Sequence, residues 1–600
     1  MLKTSLSAGF TLGLAVITTT VPTASHACGG FFCTTVPINQ AAEQILFRQQ
    51  GDTVTAMVRI QYSGNAEDFS WVVPVPDTPE ISVGSDLTFN DLDRATQPLF
   101  ALQQEGNVCS QDQITLPPVF AVADTAESSP AESGVVVEEE LTVGPFDIDI
   151  VSSDNPDDLA IWLADNDYLI TDRGSELIAP YVNEGMKFVA VRLRSGETSG
   201  SIQPIILKYA SERPAVPIRL TAVAAEDDMG VLVWVVNDQE GRAIPENYLH
   251  VIPNYTRLDW FNGTFNAYGS YQSLVTDAMN ESGGQGFATD FAGTIDQNIT
   301  DFVTDPSFVD NNLAFLDAIG NDSEFVTQSL FVSTNFNAAL AELESVLPLR
   351  DGFEQNIYFE PSTLASIYTA DELATARVTM REYLVVREQE PLQNSVDLIP
   401  SGAYLTRLFT TLSADEMTLD PRFNYNSTMP DQSRLRQATV NASCDNGVSN
   451  WTLTLGEGTG RDGEVVMDVS GQPIPGFGLP APIALDDQPA TFARQRTFAD
   501  AAPETDFQAN LTPFVLNADG SVEETGFVEG EGEMTDVGGS TGGTGNGTGT
   551  EGEGGVIDGA VDVVSESGGS SGGFGGTGPG ALVLLGLVLL RRRFAALARR

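Results

Sequence analysis

The 600-residue chain has few of the side chains that usually activate a nucleophile or hold a transition metal. It has two histidines, His26 and His250, three lysines, Lys3, Lys187 and Lys208, and four cysteines, Cys28, Cys33, Cys109 and Cys444. Each shortage excludes a class of chemistry. A zinc site of the His-rich or Cys-rich kind cannot be assembled from so few ligands. His26 lies in a segment expected to be removed, so any Ser-His-Asp or Cys-His centre would have to use His250. That residue sits in the apolar run Tyr248–Ile252 and reads as a core histidine. A Ser-Lys dyad would need Lys187 or Lys208, and neither lies in a recognisable motif. No Cys-x-x-Cys stands beside a βαβ pattern, which argues against a redox pair. Positive charge is also scarce. Lys and Arg number 29 against 83 Asp and Glu, a formal net charge of −54. Binding nucleic acid needs a basic face to neutralise phosphates, so that partner is not expected. No catalytic residue, cofactor or metal ligand is assigned on this basis.

What is present is enough for a folded core. Hydrophobic residues make up 42% and aromatics 8%, which excludes disorder of the whole chain. Lys3, the apolar stretch Leu6–Ile17 and the small residues of Ser25-His26-Ala27 have the form of a signal peptide over 1–27, cleaved after Ala27 by signal peptidase. In an exported chain, four cysteines read as two disulfides with three connectivities open. The expected pairs are Cys28–Cys33, where Gly29 and Gly30 permit a tight turn, and Cys109–Cys444, which would close a very long loop.

Periodicity suggests an α+β fold. Ile45 and Phe47, a turn at Gly51-Asp52, then Val54, Ala56, Val58, Ile60 and Tyr62 at period two, and Phe69–Val75 beyond, predict an antiparallel, hairpin-rich opening. Helical spacing at Leu92, Ala95 and Leu99 stops near Pro98. Residues 124–139 read as an exposed loop, Val135–Val151 as strand, and Asn155-Pro156 as the start of a helix with Leu159, Trp162 and Leu163 inward. Phe188–Leu193, Ile205–Tyr209, Ile218–Ala222 and Val231–Val236 read as strands. From about 265 the period becomes helical at Tyr271, Leu274, Val275, Ala278 and Met279, stopped by Gly283-Gly284. It recurs at Phe336, Leu340, Leu343 and Leu347, and again over Leu373–Leu384. Strands return at Trp451–Leu455 and Val465–Val469. Strands first and helices later imply α+β. The expected layout is a β-rich part over 28–264, a helix-rich part of the same domain over 265–445 and a β-like extension over 446–516. A disordered linker over 517–578 and a short hydrophobic helix with an arginine tail over 579–600 follow.

The linker holds 22 glycines and 12 acids and no Lys or Arg, a flexible, self-repelling stalk with a reach of about 40–45 Å. After it, Gly572-Gly573-Phe574-Gly575-Gly576 precedes the apolar Ala581–Leu590, Arg591-Arg592-Arg593 and Arg599-Arg600. This tail resembles the GlyGly-CTERM sorting signal. The resemblance implies cleavage near Ser570–Gly576 by a rhombosortase-type protease and export through type II secretion, with the membrane engaged through the C-terminal segment. The body resembles the bacterial domain-of-unknown-function family number 2330. The likeness is carried by Cys28-Gly-Gly-Phe-Phe-Cys33, Phe69-Ser-Trp-Val-Val-Pro-Val-Pro76, Val143-Gly-Pro-Phe-Asp147 with Leu159–Trp162, Ile202-Gln-Pro-Ile205, Tyr404-Leu-Thr-Arg-Leu408 and Glu416-Met-Thr-Leu-Asp-Pro421. It implies no activity.

Three polar clusters remain. Asp147, Asp149, Asp154, Asp157 and Asp158 suit a hard cation such as calcium. Arg407 is placed to pair with Asp415, Glu416 or Asp420. Paired carboxylates could serve a hydrolase, although no pair stands out among 83 acids. The expectation is an exported, surface-displayed envelope protein that binds or builds rather than reacts. A secreted carboxylate-dependent hydrolase and a calcium-stabilised adhesive module are the alternatives.

Overall fold

The computed structural model describes residues 40–523, apart from 61–68, 108, 110–135, 167, 169–171, 196, 198–200, 224, 239–240, 262, 476–487 and 512. Cys28, Cys33, the leader, most of the stalk and the sorting tail lie outside the described residues. The chain divides into two compact units, Met1–Glu533 and Met534–Arg600, and every described residue belongs to the first.

The α+β expectation holds, and its centre is a ten-stranded mixed sheet. In spatial order its strands are Glu504–Gln508, Thr491–Arg496, Leu249–Pro253, Gly286–Thr294, Tyr404–Leu412, Ala225–Asn237, Gln40–Gln50, Thr53–Ile60, Ile205–Ala210 and Glu80–Val83. The middle strands are buried on both faces. Along Ala225–Asn237, Val231, Val233 and Val235 enter one core, and Leu232, Trp234 and Val236 enter the other. A strand covered on both sides reads as a continuous apolar run instead of an alternation.

Each face has its own cover. A four-stranded antiparallel sheet, ordered Ser70–Val75, Lys187–Leu193, Phe146–Ser152, Val136–Val143, packs on one side through Trp71, Val73, Phe146 and Ile148. Its outer face receives the helix Pro156–Asp165 through Leu159, Trp162 and Leu163. Asn155 caps that helix by accepting from the Asp157 N–H, with Pro156 in the first turn, as the sequence suggested. The opposite face of the main sheet is covered by the helices Asp86–Thr96 and Gly263–Asn280 and by a six-stranded sheet containing Leu99–Gly106, Leu435–Asp445 and Val448–Leu455. The helices between Ser307 and Val396 form a further core around Phe325, Leu330, Leu343, Tyr358 and Met380. Among them, Ala370–Leu384 starts with a capping box between Thr369 and Glu372 and runs into a π-turn, Val385–Gln389.

Several local expectations change. Gln40–Gln50 forms the hairpin with Thr53–Ile60 but pairs in parallel with Ala225–Asn237, and Ser70–Val75 joins a different sheet, so the opening is not a single antiparallel meander. The first helix ends at Thr96, and Leu99 begins a strand. Gln97, preceding Pro98, is extended at ψ 144, the conformation a following proline favours. Within the expected loop 124–139, residues from Val136 form a strand. Ile218–Thr221 is a short helix and not a strand, because Asp420 accepts from both the backbone N–H (3.0 Å) and Nε (2.9 Å) of Arg219. Regular structure also runs past 517, where Val522–Glu523 pairs with Phe514–Leu516. Strands on both sides of residue 264 share the main sheet.

Candidate functional site

The interface between the main and four-stranded sheets contains a cavity of about 420 Å³. Period-two geometry builds its walls. Ile45 and Phe47 come from one main-sheet strand, and Ala56 and Val58 from the next. Trp71 and Val73 come from the facing sheet. Glu43 is in phase with Ile45 and Phe47 and so points into the same space. It is 6% exposed, and among the described residues its Oε2 has no hydrogen-bond partner. Burial alone raises its pKa from 4.5 to about 7. An uncompensated acid in an apolar chamber is unfavourable unless something enters to pair with it. At the rim, Arg213 pairs with Glu246 at 3.0 Å, and Asp420 pairs with Arg219 at 2.7 Å and accepts from the Tyr181 hydroxyl at 2.8 Å.

A second recess, about 310 Å³, lies beside the π-turn and is lined by Asp86, Glu197, Phe336, Glu342, Tyr383 and Glu388. Most of its acids are engaged. Glu388 accepts from the Ser333 hydroxyl at 2.5 Å and the Thr334 N–H at 2.9 Å, Glu197 pairs with Arg387, and Asp86 pairs with Arg59 at 2.8 Å. Glu342 has its pKa raised by burial and by neighbouring Glu197 and Glu382, against the opposing charge of Arg387.

The residues singled out from the sequence are dispersed. Cys109 and Cys444 form a disulfide, with Cα atoms 5.1 Å apart, while Cys28 and Cys33 lie outside the described residues. His250 is buried, and burial followed by the Arg242 charge lowers its pKa to about 3, so it is a neutral core histidine. Lys187 pairs with Glu138 at 2.6 Å and Lys208 with Glu80 at 2.8 Å. Arg407 does not pair with Asp415, Glu416 or Asp420. It is fully buried and bonds Asp290 at 3.0 Å and Asp93 at 2.8 Å, because its strand lies beside Gly286–Thr294. Asp290 also accepts from the Tyr271 hydroxyl. Asp147 accepts from Thr142 at 3.0 Å and Asp149 pairs with Arg192 at 3.4 Å. Among the described residues, no group of three or more His, Cys, Asp or Glu is placed to hold a metal.

Of the two late motifs, Asp420 reaches the inter-sheet cavity and Arg407 does not. The early motif Phe69–Pro76 supplies much of one wall through Trp71, Val73 and Val75. Glu43 was legible as an acid in phase with two core residues, but its isolation depends on strands far away in the chain. No curated protein and no solved structure matches the chain. The description of uncharacterized proteins conserved in bacteria, DUF2330, matches residues 22–328, which take in Glu43, the facing-sheet wall and Arg213, and the chain belongs to that family.

Proposed function

We propose that this protein is an exported bacterial cell-envelope protein that binds a small organic cation with an apolar body, and that the inter-sheet cavity is its binding site. One observation carries the reading: Glu43, with an oxygen unpartnered among the described residues, beside an apolar wall of Ile45, Phe47, Val58, Trp71 and Val73, in a cavity that also takes in Arg213, Glu246, Asp420 and Arg422. An ammonium head would supply the missing partner, and the apolar walls would receive the body. A net charge of −54 attracts cations toward the surface. Support for export comes from the leader form of residues 1–27 and the glycine, apolar and arginine segments of the tail. These make signal peptidase, a rhombosortase-type protease, type II secretion and the membrane its proposed handling partners.

Calorimetry with hexylamine tests the reading. The wild type should bind it and release about half a proton at pH 7, since a cation beside a half-ionised acid favours the carboxylate. Hexanoate should not displace hexylamine, and Glu43→Gln should abolish the proton release and weaken hexylamine. Equal binding by the variant would count decisively against the site.

The recess by the π-turn favours a second reading, a carboxylate-dependent hydrolase in which Glu342 acts as the acid above Phe336 and Tyr383. Engagement of Glu388, Glu197 and Asp86 by other groups leaves it short of a free second carboxylate, so the binding reading stands first.

A further inference from the structure

A third cavity, about 520 Å³, lies at the other end of the main sheet and is lined by Arg242, His250, Ile252, Thr289, Met429 and Gln495, among others. Its distinguishing feature is the buried guanidinium of Arg242. Arg242 is 4% exposed. It donates to the Pro430 carbonyl at 3.3 Å, and its Nη2 lies 3.1 Å from His250 Nε2. Among the described residues, its Nε has no hydrogen-bond partner. Among the described residues it forms no ion pair, whereas Arg407 of the main sheet, also deeply buried, has two carboxylates. The nearby acid, Asp431, accepts from the Tyr404 hydroxyl at 2.7 Å and acts on Arg242 through space without an ion pair, and Arg436 adds an opposing positive charge.

Neighbouring groups settle the tautomer of His250. A guanidinium can only donate, so Nε2 accepts and the ring hydrogen sits on Nδ1, 3.3 Å from Gln495 Oε1. The pairing of Leu249–Pro253 with Thr491–Arg496 places His250 opposite Gln495. The histidine thus orients the guanidinium without neutralising it. Burial lowers the Arg242 pKa to about 10, which leaves it charged at neutral pH. A buried, oriented and unpaired guanidinium beside a cavity is what recognition of a planar anion requires.

We propose that this cavity binds an organic carboxylate, whose head group pairs with Arg242 and whose body lies against Ile252, Met429 and Pro503. The site is separate from the Glu43 cavity and opposite to it in ligand charge. Since the protein carries −54 overall, long-range repulsion opposes an approaching anion, and modest salt screens it. Anion affinity should therefore rise between low and physiological ionic strength, the reverse of the trend expected at an ordinary basic surface site.

Calorimetry on the full chain with benzoate, benzamide and inorganic phosphate tests this. Benzoate should bind one per chain, and the neutral isostere benzamide about tenfold more weakly or not at all. Arg242→Gln should lower benzoate affinity by about thirtyfold or more, the lower range for removing one partner of a buried charge pair. Glu43→Gln should leave benzoate binding unchanged. If the glutamine variant does not fold, the benzoate-to-benzamide ratio of the wild type and the retention of binding by Arg242→Lys carry the test. Absence of benzoate binding, equal affinity for benzamide, or phosphate binding more tightly than benzoate would each overturn the proposal.

Discussion

Replacing Glu43 by glutamine should stabilise the protein, and the gain should depend on pH in a way fixed by its burial. In the unfolded chain the carboxyl titrates near 4.5, and in the folded chain near 7. Below pH 4.5 it is protonated in both states and costs nothing as a charge. As pH rises through the window between the two values, the unfolded state ionises first, so folding becomes progressively less favourable. Above pH 7 the penalty is complete. At about 1.4 kcal/mol per pH unit, a displacement from 4.5 to about 7 amounts to about 3 kcal/mol. Glutamine has nearly the same shape and no charge. Any fixed cost of its amide in the cavity is shared by all pH values and cancels in the comparison. Denaturant unfolding of wild type and Glu43→Gln at pH 4 and pH 8.5 measures the difference. The variant should gain about 3 kcal/mol relative to wild type between the two conditions. A stability difference that does not change with pH would mean that Glu43 is solvated or paired in the folded protein, and the argument for a buried, unpaired acid in the inter-sheet cavity would collapse with it.

Asp290→Ala should destabilise by about 3–5 kcal/mol, because it removes the buried one of the two carboxylates paired with the fully buried Arg407 and leaves the partly exposed Asp93; a loss below about 1 kcal/mol in the same unfolding assay would show that Asp93 suffices. Reducing Cys109–Cys444, which are separated by 335 residues, should lower stability by up to about 6 kcal/mol on the chain-entropy account; an unchanged unfolding midpoint with and without reductant would contradict that staple. Intact-mass analysis of protein recovered from the producing cell should give a chain beginning at Cys28 and ending near Ser570–Gly576; recovery of the chain from Met1 to Arg600, soluble inside the cell, would remove the envelope reading.

The elements legible in the sequence were those whose evidence is local. Tyr271, Leu274, Val275, Ala278 and Met279 recur at helical spacing, and Gly283 and Gly284, both at positive φ, end the helix without the steric cost other residues would meet. Val54–Ile60 alternates because its strand has two different environments. A local signal misleads where context overrides it, as at Ile218–Thr221, whose β-branched look yields to the grip of Asp420 on Arg219.

By itself, the sequence determined the α+β character, the family, the pairing capacity of Cys109 and Cys444, and the absence of enough His or Cys for common catalytic centres, since these follow from composition and short-range periodicity. The tertiary structure alone decided that Gln40–Gln50 lies parallel to Ala225–Asn237, that Arg407 finds Asp290, and that, among the described residues, Glu43 and Arg242 each keep a buried polar atom without a hydrogen-bond partner. The physical reason is that a side chain's partner is set by which distant strands become neighbours. Periodicity tells which face a residue occupies but carries no information about what will stand opposite it.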